Sequence, residues 1–195
     1  MTSTATTTAI DICSRALILI GAEPITSFND GTTEASVAVN MYEDVARASL
    51  ADCRWRFATE QKQLARLSDE PTGRFDAAYQ LPSDLLILNA LTVNDSPIGF
   101  TIYGDKVFTN ASSADEVIAD YIYRADEADW PPYFIVAVQH NLASVFATSI
   151  ARDASLAGLF EQKADLLMRK AKSADSQQNT TRKLTTSRFL TERRS

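Results

Sequence analysis

The spacing of hydrophobic residues changes twice along the chain and predicts helices at both ends with strands between them. The first helix has apolar residues at intervals of three and four, namely Ile10, Cys13, Ala16, Leu17 and Ile20. This spacing gives a helix one buried side. Gly21 follows directly and Pro24 comes soon after. Both residue types commonly end helices, so a corner is predicted there.

The second predicted helix runs from about residue 33 to Arg54 and ends in an aromatic pair. Thr32 or Thr33 can cap its first turn, and its inner stripe contains Ala35, Ala38, Tyr42, Val45 and Ser49. Trp55 and Phe57 follow at once. Because burial of a large ring stabilises a fold by about 1.5–3 kcal/mol, we interpret the pair as an anchor that holds the second helix against later helices.

From about residue 61 to 130 the hydrophobic period becomes two, which is typical of strands. Alternating apolar residues include Phe75, Ala77, Tyr79 and Leu81, and Leu85–Val93 is an apolar run of strand length. Tyr103–Lys106 carries Gly-Asp between two alternating segments, which is a hairpin signal. The pattern predicts one small antiparallel sheet of about four to five strands, inserted between the helices.

Two further helices are predicted after Pro131 and Pro132. One runs from about Tyr133 to Arg152, with Phe134, Val138, Leu142, Val145 and Phe146 inward. The other covers roughly 155–174, with Leu156, Leu159, Phe160 and Leu167 on one side. The predicted fold class is α+β, mainly α. A bundle of about four helices (1–60 and 131–176) would carry an antiparallel β insertion (61–130) and an extended carboxyl-terminal arm (177–195).

The charge is divided unevenly between the body and this arm. The net charge is −6, and the residues after Ser176 carry +4, which leaves −10 elsewhere. An acidic body disfavours a nucleic-acid surface there, because such surfaces neutralise phosphates with Lys and Arg. The basic arm has three interpretations: non-specific contact with nucleic acid, a solubilising tail, or a docking segment that orders on a partner. The adjacent Phe189 and Leu190 favour docking, since a solubilising tail has no use for them.

Few residues are candidates for catalysis. His140, the single histidine, lies in an apolar helical stretch and is interpreted as structural or interfacial. Cys13 and Cys53 are interpreted as small core residues, and with one histidine they are too few for a zinc site. No glycine-rich phosphate loop occurs, so we expect no cofactor. Glu127 and Asp129 remain as a carboxylate pair of the glycosidase type, against the simpler interpretation of a solvated acidic loop.

Nothing in the sequence indicates a membrane protein. No apolar run reaches the roughly 18–20 residues that span a bilayer. The amino-terminal residues lack the basic region of a signal peptide. We therefore expect a chain that is made in the cytoplasm and has no membrane partner.

Three sequence blocks resemble one family of structural proteins. The block Ile20–Asp30, IGAEPITSFND, is similar to the opening motif of the head-to-tail adaptor proteins of short-tailed phages. That family includes the tubular tail protein A of T7-like phages and the tail accessory factor of P22-like phages. Trp55–Ala58 (WRFA) continues the likeness, as do Ala35, Tyr42, Arg47 and Leu50. Tyr79–Asp84 (YQLPSD) matches the family pattern Tyr-x-Leu-Pro-x-Asp. The likeness covers roughly residues 9–160.

The resemblance implies a virion protein that forms a ring, dodecameric in the family, below the portal. Such a ring extends the DNA channel, lets DNA pass without specific binding and receives the tail nozzle. An acidic channel wall suits this role because it repels phosphate. The implied fold is a helical bundle with the β insertion of the T7-like branch. The motif residues of that body are Gly21, Pro24, Tyr42, Trp55 and Phe57.

The resemblance also implies that the carboxyl-terminal segment reaches the portal. Carried to this sequence, portal docking falls to residues 181–195. The side chains assigned to it are Arg182, Lys183, Leu184, Arg188, Phe189, Leu190, Arg193 and Arg194. The expected function is thus a connector without catalysis, located at the head–tail interface of the virion. The alternatives are a cell-wall glycosidase acting during infection, or a nucleic-acid-binding module that uses the arm.

Overall fold

The computed structural model describes residues 6–68, 71 and 73–178, and its elements confirm the α+β class. The helices in this part of the chain are α1 (Ala9–Leu19), α2 (Thr33–Ala51), α3 (Pro132–Ser149) and α4 (Ala154–Gln177). The strands are β1 (Thr59–Gln63), β2 (Ala77–Gln80), β3 (Leu85–Val93), β4 (Ser96–Ile98), β5 (Phe100–Tyr103), β6 (Lys106–Thr109) and β7 (Ile118–Tyr123). Single 3-10 turns lie at Arg56–Ala58 and Glu127–Asp129. None of the described helices combines the length and apolar character needed to cross a membrane.

Polar side chains cap three of these helices at the amino end. Thr8 accepts from the Asp11 N–H at 3.2 Å, and Asp11 accepts from the Thr8 N–H at 2.9 Å, which completes a capping box at α1. Thr32 accepts from the third residue of α2 at 3.1 Å. Asp153 caps α4. It follows Arg152, which has a φ of +53° and lies in the turn between α3 and α4. Such caps satisfy amide groups that the helix itself leaves without partners.

Helix α3 lies at the centre of the helical layer and packs against α1, α2 and α4. Its buried residues include Phe134, Val138, Leu142 and Phe146, as expected from their spacing. On α4, the expectation for Leu159 was wrong. The buried side of α4 contains Phe160, Ala164, Met168 and Ala171, and Leu159 precedes Phe160 by one residue, or about 100° around the helix. Leu159 is therefore exposed.

The β region contains two antiparallel sheets, so the prediction of one sheet with four to five strands was wrong. One sheet has the order β1-β7-β3-β4 and the other β2-β6-β5. Strand β1 has the sequence TEQKQ and is exposed along most of its length, so it lacks any alternating apolar signal. Strand β4 is three residues long and contains Pro97. Proline is depleted in strands, which explains why pattern reasoning missed β4.

The four-stranded sheet separates two hydrophobic cores. Along β7, Tyr121 faces a core shared with the three-stranded sheet, whereas Ile122 joins the core of the helices. This alternation follows from the period of two in a strand. Leu85–Val93 forms β3 with the predicted bounds. The β5–β6 hairpin closes through Gly104, whose φ is +62°, as the Gly-Asp pair indicated.

Candidate functional site

The corner after α1 is built by a left-handed turn at Gly21. The backbone of Gly21 has a φ of +77°, which glycine adopts at little cost because it has no Cβ. The Gly21 N–H donates to the Ile18 carbonyl at 3.1 Å, and the Ala22 N–H donates to the Leu17 carbonyl at 3.0 Å. This pair of bonds is the Schellman motif that ends many helices. It turns the chain sharply away from the axis of α1.

The loop that follows returns the chain to the core and is held by its own hydrogen bonds. Pro24 is exposed, whereas Ile25 is buried and its carbonyl accepts from the Ser14 hydroxyl at 2.6 Å. Asp30 accepts from the Thr26 N–H at 2.8 Å. This bond, with a similar one from the next residue, holds the pKa of Asp30 below its ordinary value. The motif block is thus a structured connection between α1 and α2.

An aromatic cluster joins the end of α2 to α3. Trp55 is fully buried, and its ring centre lies 5.0 Å from that of Phe134 on α3. Phe57 lies 5.0 Å and Trp130 4.9 Å from the same ring. The Trp55 indole N–H donates to the Ser49 carbonyl at 3.0 Å, near the end of α2. Aromatic pairs at these distances contribute about 0.5–1.5 kcal/mol beyond their buried area.

A polar network joins α2 to the segment between β7 and α3. The buried Tyr42 hydroxyl donates to the Glu127 carboxylate at 2.7 Å, and burial raises the pKa of Tyr42. The Arg124 guanidinium donates to Glu127 at 2.6 Å and to Glu43 at 3.0 Å. Burial of Glu127 acts to raise its pKa, but the bonds from Arg124 and Tyr42 together outweigh it and hold that pKa below 4.5.

This network bears on the glycosidase alternative. The catalytic acid of a glycosidase must keep its proton until it protonates the leaving group, so its pKa is raised. Glu127 has the opposite shift, and its carboxylate already accepts from two side chains. Asp129 is exposed to solvent. The geometry therefore suits Glu127 as a structural acceptor.

The last turn of α4 is fixed to the rest of the helical layer through Asp175. Asp175 is 4% exposed and accepts from the Tyr133 hydroxyl at 2.9 Å and from the Arg56 N–H at 3.2 Å. Burial and the bond to Asp175 raise the pKa of Tyr133 to about 12. Tyr133 lies in the first turn of α3, and Arg56 stands in the sequence between Trp55 and Phe57. We call this arrangement the Asp175 latch (Asp175, Tyr133, Arg56).

A cleft of about 580 Å³ lies beside the latch, between the end of α4 and β1. Its charged lining includes Arg54, Arg56, Glu60, Asp120, Lys172 and Asp175. Arg54 forms an ion pair with Asp120, and Lys172 forms one with Asp52 at 2.7 Å. Basic and acidic groups are balanced, so the cleft has no marked preference for an anionic ligand.

The remaining candidate residues, His140, Cys13 and Cys53, are buried or half-buried among the helices. His140 is half-buried, and its Nδ1 lies 2.9 Å from the carbonyl of Val136 on the same helix. Cys13 is buried in the core, and burial raises the pKa of its thiol to about 12. Cys53 is half-buried and follows the end of α2. Among residues 6–68, 71 and 73–178, no group of three or more His, Cys, Asp or Glu side chains could hold a metal ion.

The side chains predicted to dock on the portal lie outside the described residues, as do all positions from 179 to 195. They are Arg182, Lys183, Leu184, Arg188, Phe189, Leu190, Arg193 and Arg194. The structure therefore describes the final turn of α4, after which this segment follows in the sequence.

No known family model matches the chain, and no curated protein matches it either. The likeness to phage adaptors therefore rests on the motif blocks in the sequence.

Sequence reasoning missed the latch and the network around Arg124. Asp175 is 119 residues from Arg56 and 42 residues from Tyr133, and Arg124 is 81 residues from Glu43. An aspartate near the end of a polar helix has no local feature that indicates burial. The packing of α4 against α3 brings Asp175 to Tyr133, whereas the contact of α2 with the end of β7 brings Glu43 to Arg124.

Proposed function

We propose that this chain is a subunit of the head-to-tail connector of a short-tailed phage. It would be a structural virion protein that assembles as a ring, joins the portal to the tail nozzle and extends the DNA channel. The motif blocks at Ile20–Asp30, Trp55–Ala58 and Tyr79–Asp84 support this assignment. In the proposal, α1–α4 act as one bundle that forms the body of the subunit. The two sheets are its insertion, and residues 177–195 are its docking arm.

The observation that carries the proposal is the Asp175 latch. Burial of a carboxylate is costly unless it is hydrogen-bonded, and Asp175 accepts from two donors on distant parts of the chain. The latch gives the basic segment a fixed starting point on the body. A solubilising tail needs no fixed origin. A docking segment benefits from a fixed starting point, because fewer residues then have to be ordered when the partner binds. Each residue ordered on the partner costs about 1–2 kcal/mol of backbone entropy.

The two alternatives receive less support. A glycosidase would need an acid with a raised pKa, and Glu127 has a lowered one. A nucleic-acid-binding module would rely on the basic arm alone, because the rest of the chain carries −10. Affinity for DNA would then fall steeply with salt and disappear with the arm.

A truncation tests the proposal directly. We expect a chain that ends at residue 180 to remain folded by circular dichroism and to lose binding to the portal rings of the same phage, measured by co-sedimentation and negative-stain microscopy. Deletion of residues 2–5, at the other terminus, is the control and should leave binding intact. Undiminished portal binding by the truncated chain would contradict the docking role.

Two variants of the full chain separate the parts of that role. Replacing Arg188, Arg193 and Arg194 with Gln removes the charges, whereas replacing Phe189 and Leu190 with Ser removes the apolar contact. Both should weaken portal binding, and only binding that depends on charge should respond strongly to salt. Lysis of cell walls in a turbidity assay, abolished by Asp129→Asn, would favour the glycosidase instead.

A further inference from the structure

Helix α4 presents an apolar and basic stripe to solvent. Leu159 and Leu166 are 48% and 49% exposed, and Lys163 and Lys170 are exposed between and beyond them. The spacing of four, three and four residues places all four on one flank of the helix. We call this flank the α4 face (Leu159, Lys163, Leu166, Lys170). Exposed leucines on one helix flank indicate a binding surface more often than isolated ones do.

The α4 face points away from α2. Lys172 forms an ion pair with Asp52, the residue after the end of α2. Asp165 lines a cleft of about 390 Å³ whose other walls are formed by residues of α2 and α3. Asp165 and Lys172 are seven residues apart and share a flank. At about 100° per residue, that flank and the α4 face lie on opposite sides of the buried stripe.

A second exposed surface has the opposite charge. Val39 on α2 is 50% exposed, and the exposed Glu43 follows it by one helical turn. Arg124 bonds both Glu43 and Glu127, which brings the 3-10 turn Glu127–Asp129 beside α2. Within the described part of the chain, Asp126 and Asp129 form no ion pair with Lys or Arg. We call this surface the α2 face; its members are Val39, Glu43, Asp126 and Asp129.

The two faces lie on different sides of the helical layer. On α2, Asp52 is directed towards α4, whereas Glu43 is directed towards β7 and the 3-10 turn. The α2 face therefore points away from α4, and the α4 face points away from α2. One face combines leucines with lysines. In the other, Glu43 is paired with Arg124 and with Arg47 on the next turn of α2, so Asp126 and Asp129 supply its net negative charge beside Val39. The two faces are complementary in charge, both have an apolar part, and one molecule cannot bring them together.

We propose that the α4 face of one copy binds the α2 face of the next copy, head to tail. A ring requires this kind of contact, in which two different patches of each subunit meet. The occupant of each face is thus a second copy of this chain. The inference rests on the proposed connector ring and names the surfaces that close it.

Charge reversal on each face tests the contact. The variants Lys163→Glu/Lys170→Glu and Asp126→Lys/Asp129→Lys place like charges opposite each other in every contact. Because such juxtaposition is strongly unfavourable, we expect each variant alone to need about tenfold or more protein to assemble. An equal mixture should recover wild-type assembly, since all contacts between the two variants pair opposite charges.

The assembly is measured in two ways. Sedimentation velocity over a range of concentrations follows the free protein, and negative-stain microscopy follows rings formed on portals. Lys62→Glu/Lys106→Glu, on the two sheets, makes the same change in net charge as Lys163→Glu/Lys170→Glu but outside both faces, and it should assemble like wild type. Circular dichroism confirms that each variant is folded.

The outcomes separate this inference from the proposed function. Self-association that is lost in each variant and recovered in the mixture, without portal binding, would support the contact and refute the connector. Normal rings on portals from either variant alone would refute the contact and support the connector. A mixture that fails to recover, or that stops at dimers, would overturn the head-to-tail contact. A wild-type protein that stays monomeric both in solution and on portals would also overturn it.

Discussion

Asp175 gives the sharpest test of how the end of α4 is held. Replacing it with Ala removes the acceptor of two hydrogen bonds, from Tyr133 at 2.9 Å and from Arg56 at 3.2 Å. A hydrogen bond to a charged group contributes about 1.5–3 kcal/mol. Tyr133 is half-buried, so water can replace part of its lost bond. We therefore expect Asp175→Ala to lower the free energy of unfolding by about 2–4 kcal/mol.

Urea unfolding followed by far-ultraviolet circular dichroism measures this change. For a domain of this size, 1 kcal/mol lowers the midpoint of thermal unfolding by about 2–4 °C, so a shift of about 5–15 °C is expected. Asp165→Ala is the matched control, because it makes the same substitution at an exposed site on the same helix. Its effect should stay within about 0.5 kcal/mol.

A double-mutant cycle assigns the effect to the latch. Tyr133→Phe removes the hydroxyl and keeps the ring, and we expect it to cost about 1 kcal/mol. Combined with Asp175→Ala, it should show a coupling of about 0.5–3 kcal/mol, as residues in contact do. Strict additivity, or an Asp175→Ala variant as stable as the Asp165→Ala control, would refute the role of Asp175.

Two further predictions concern the corner and the polar network. Gly21→Ala should destabilise the fold by about 1–2 kcal/mol, because an L-residue is strained at a φ of +77°. The added Cβ would meet no atom within 4 Å, so the cost comes from the backbone and not from a clash. A urea midpoint equal to that of wild type would contradict this. The pKa of Glu127 in the folded chain lies below 4.5, so the ionised carboxylate stabilises the fold above pH 4.5. This stabilisation is lost as the pH falls through the pKa of the folded state. Glu127→Gln should therefore lower stability at neutral pH and weaken its loss in acid, and an unchanged profile of urea midpoint against pH would count against the network.

The parts of the fold that were predictable have local causes. The run Leu85–Val93 became β3 because strand-forming residues continue between turn signals on both sides. Gly21 ends α1 because glycine reaches a positive φ without strain. The hairpin at Gly104 has the same cause. In each case the residues that determine the structure are neighbours in sequence.

The parts that were not predictable depend on contacts between distant segments. Strand β1 is polar along its length and exists because β7 offers it a full register of partners. Leu159 lies outward because α4 packs along the stripe of Phe160, Ala164, Met168 and Ala171, and Leu159 is not on that stripe. Charges such as Asp175 and Arg124 look like surface residues until packing buries them. Most of the candidate site belongs to this second class.

In the proposed connector, the latch also affects how the carboxyl-terminal segment docks. If Asp175 were free, the last turn of α4 would have to order together with the segment when a partner binds. Each ordered residue costs about 1–2 kcal/mol, so four residues of helix would cost several kcal/mol and weaken binding by orders of magnitude. Because Tyr133 and Arg56 hold Asp175 in the folded chain, that cost is met when the protein folds. The Asp175→Ala variant should then bind portals more weakly than wild type, even at temperatures where it is fully folded.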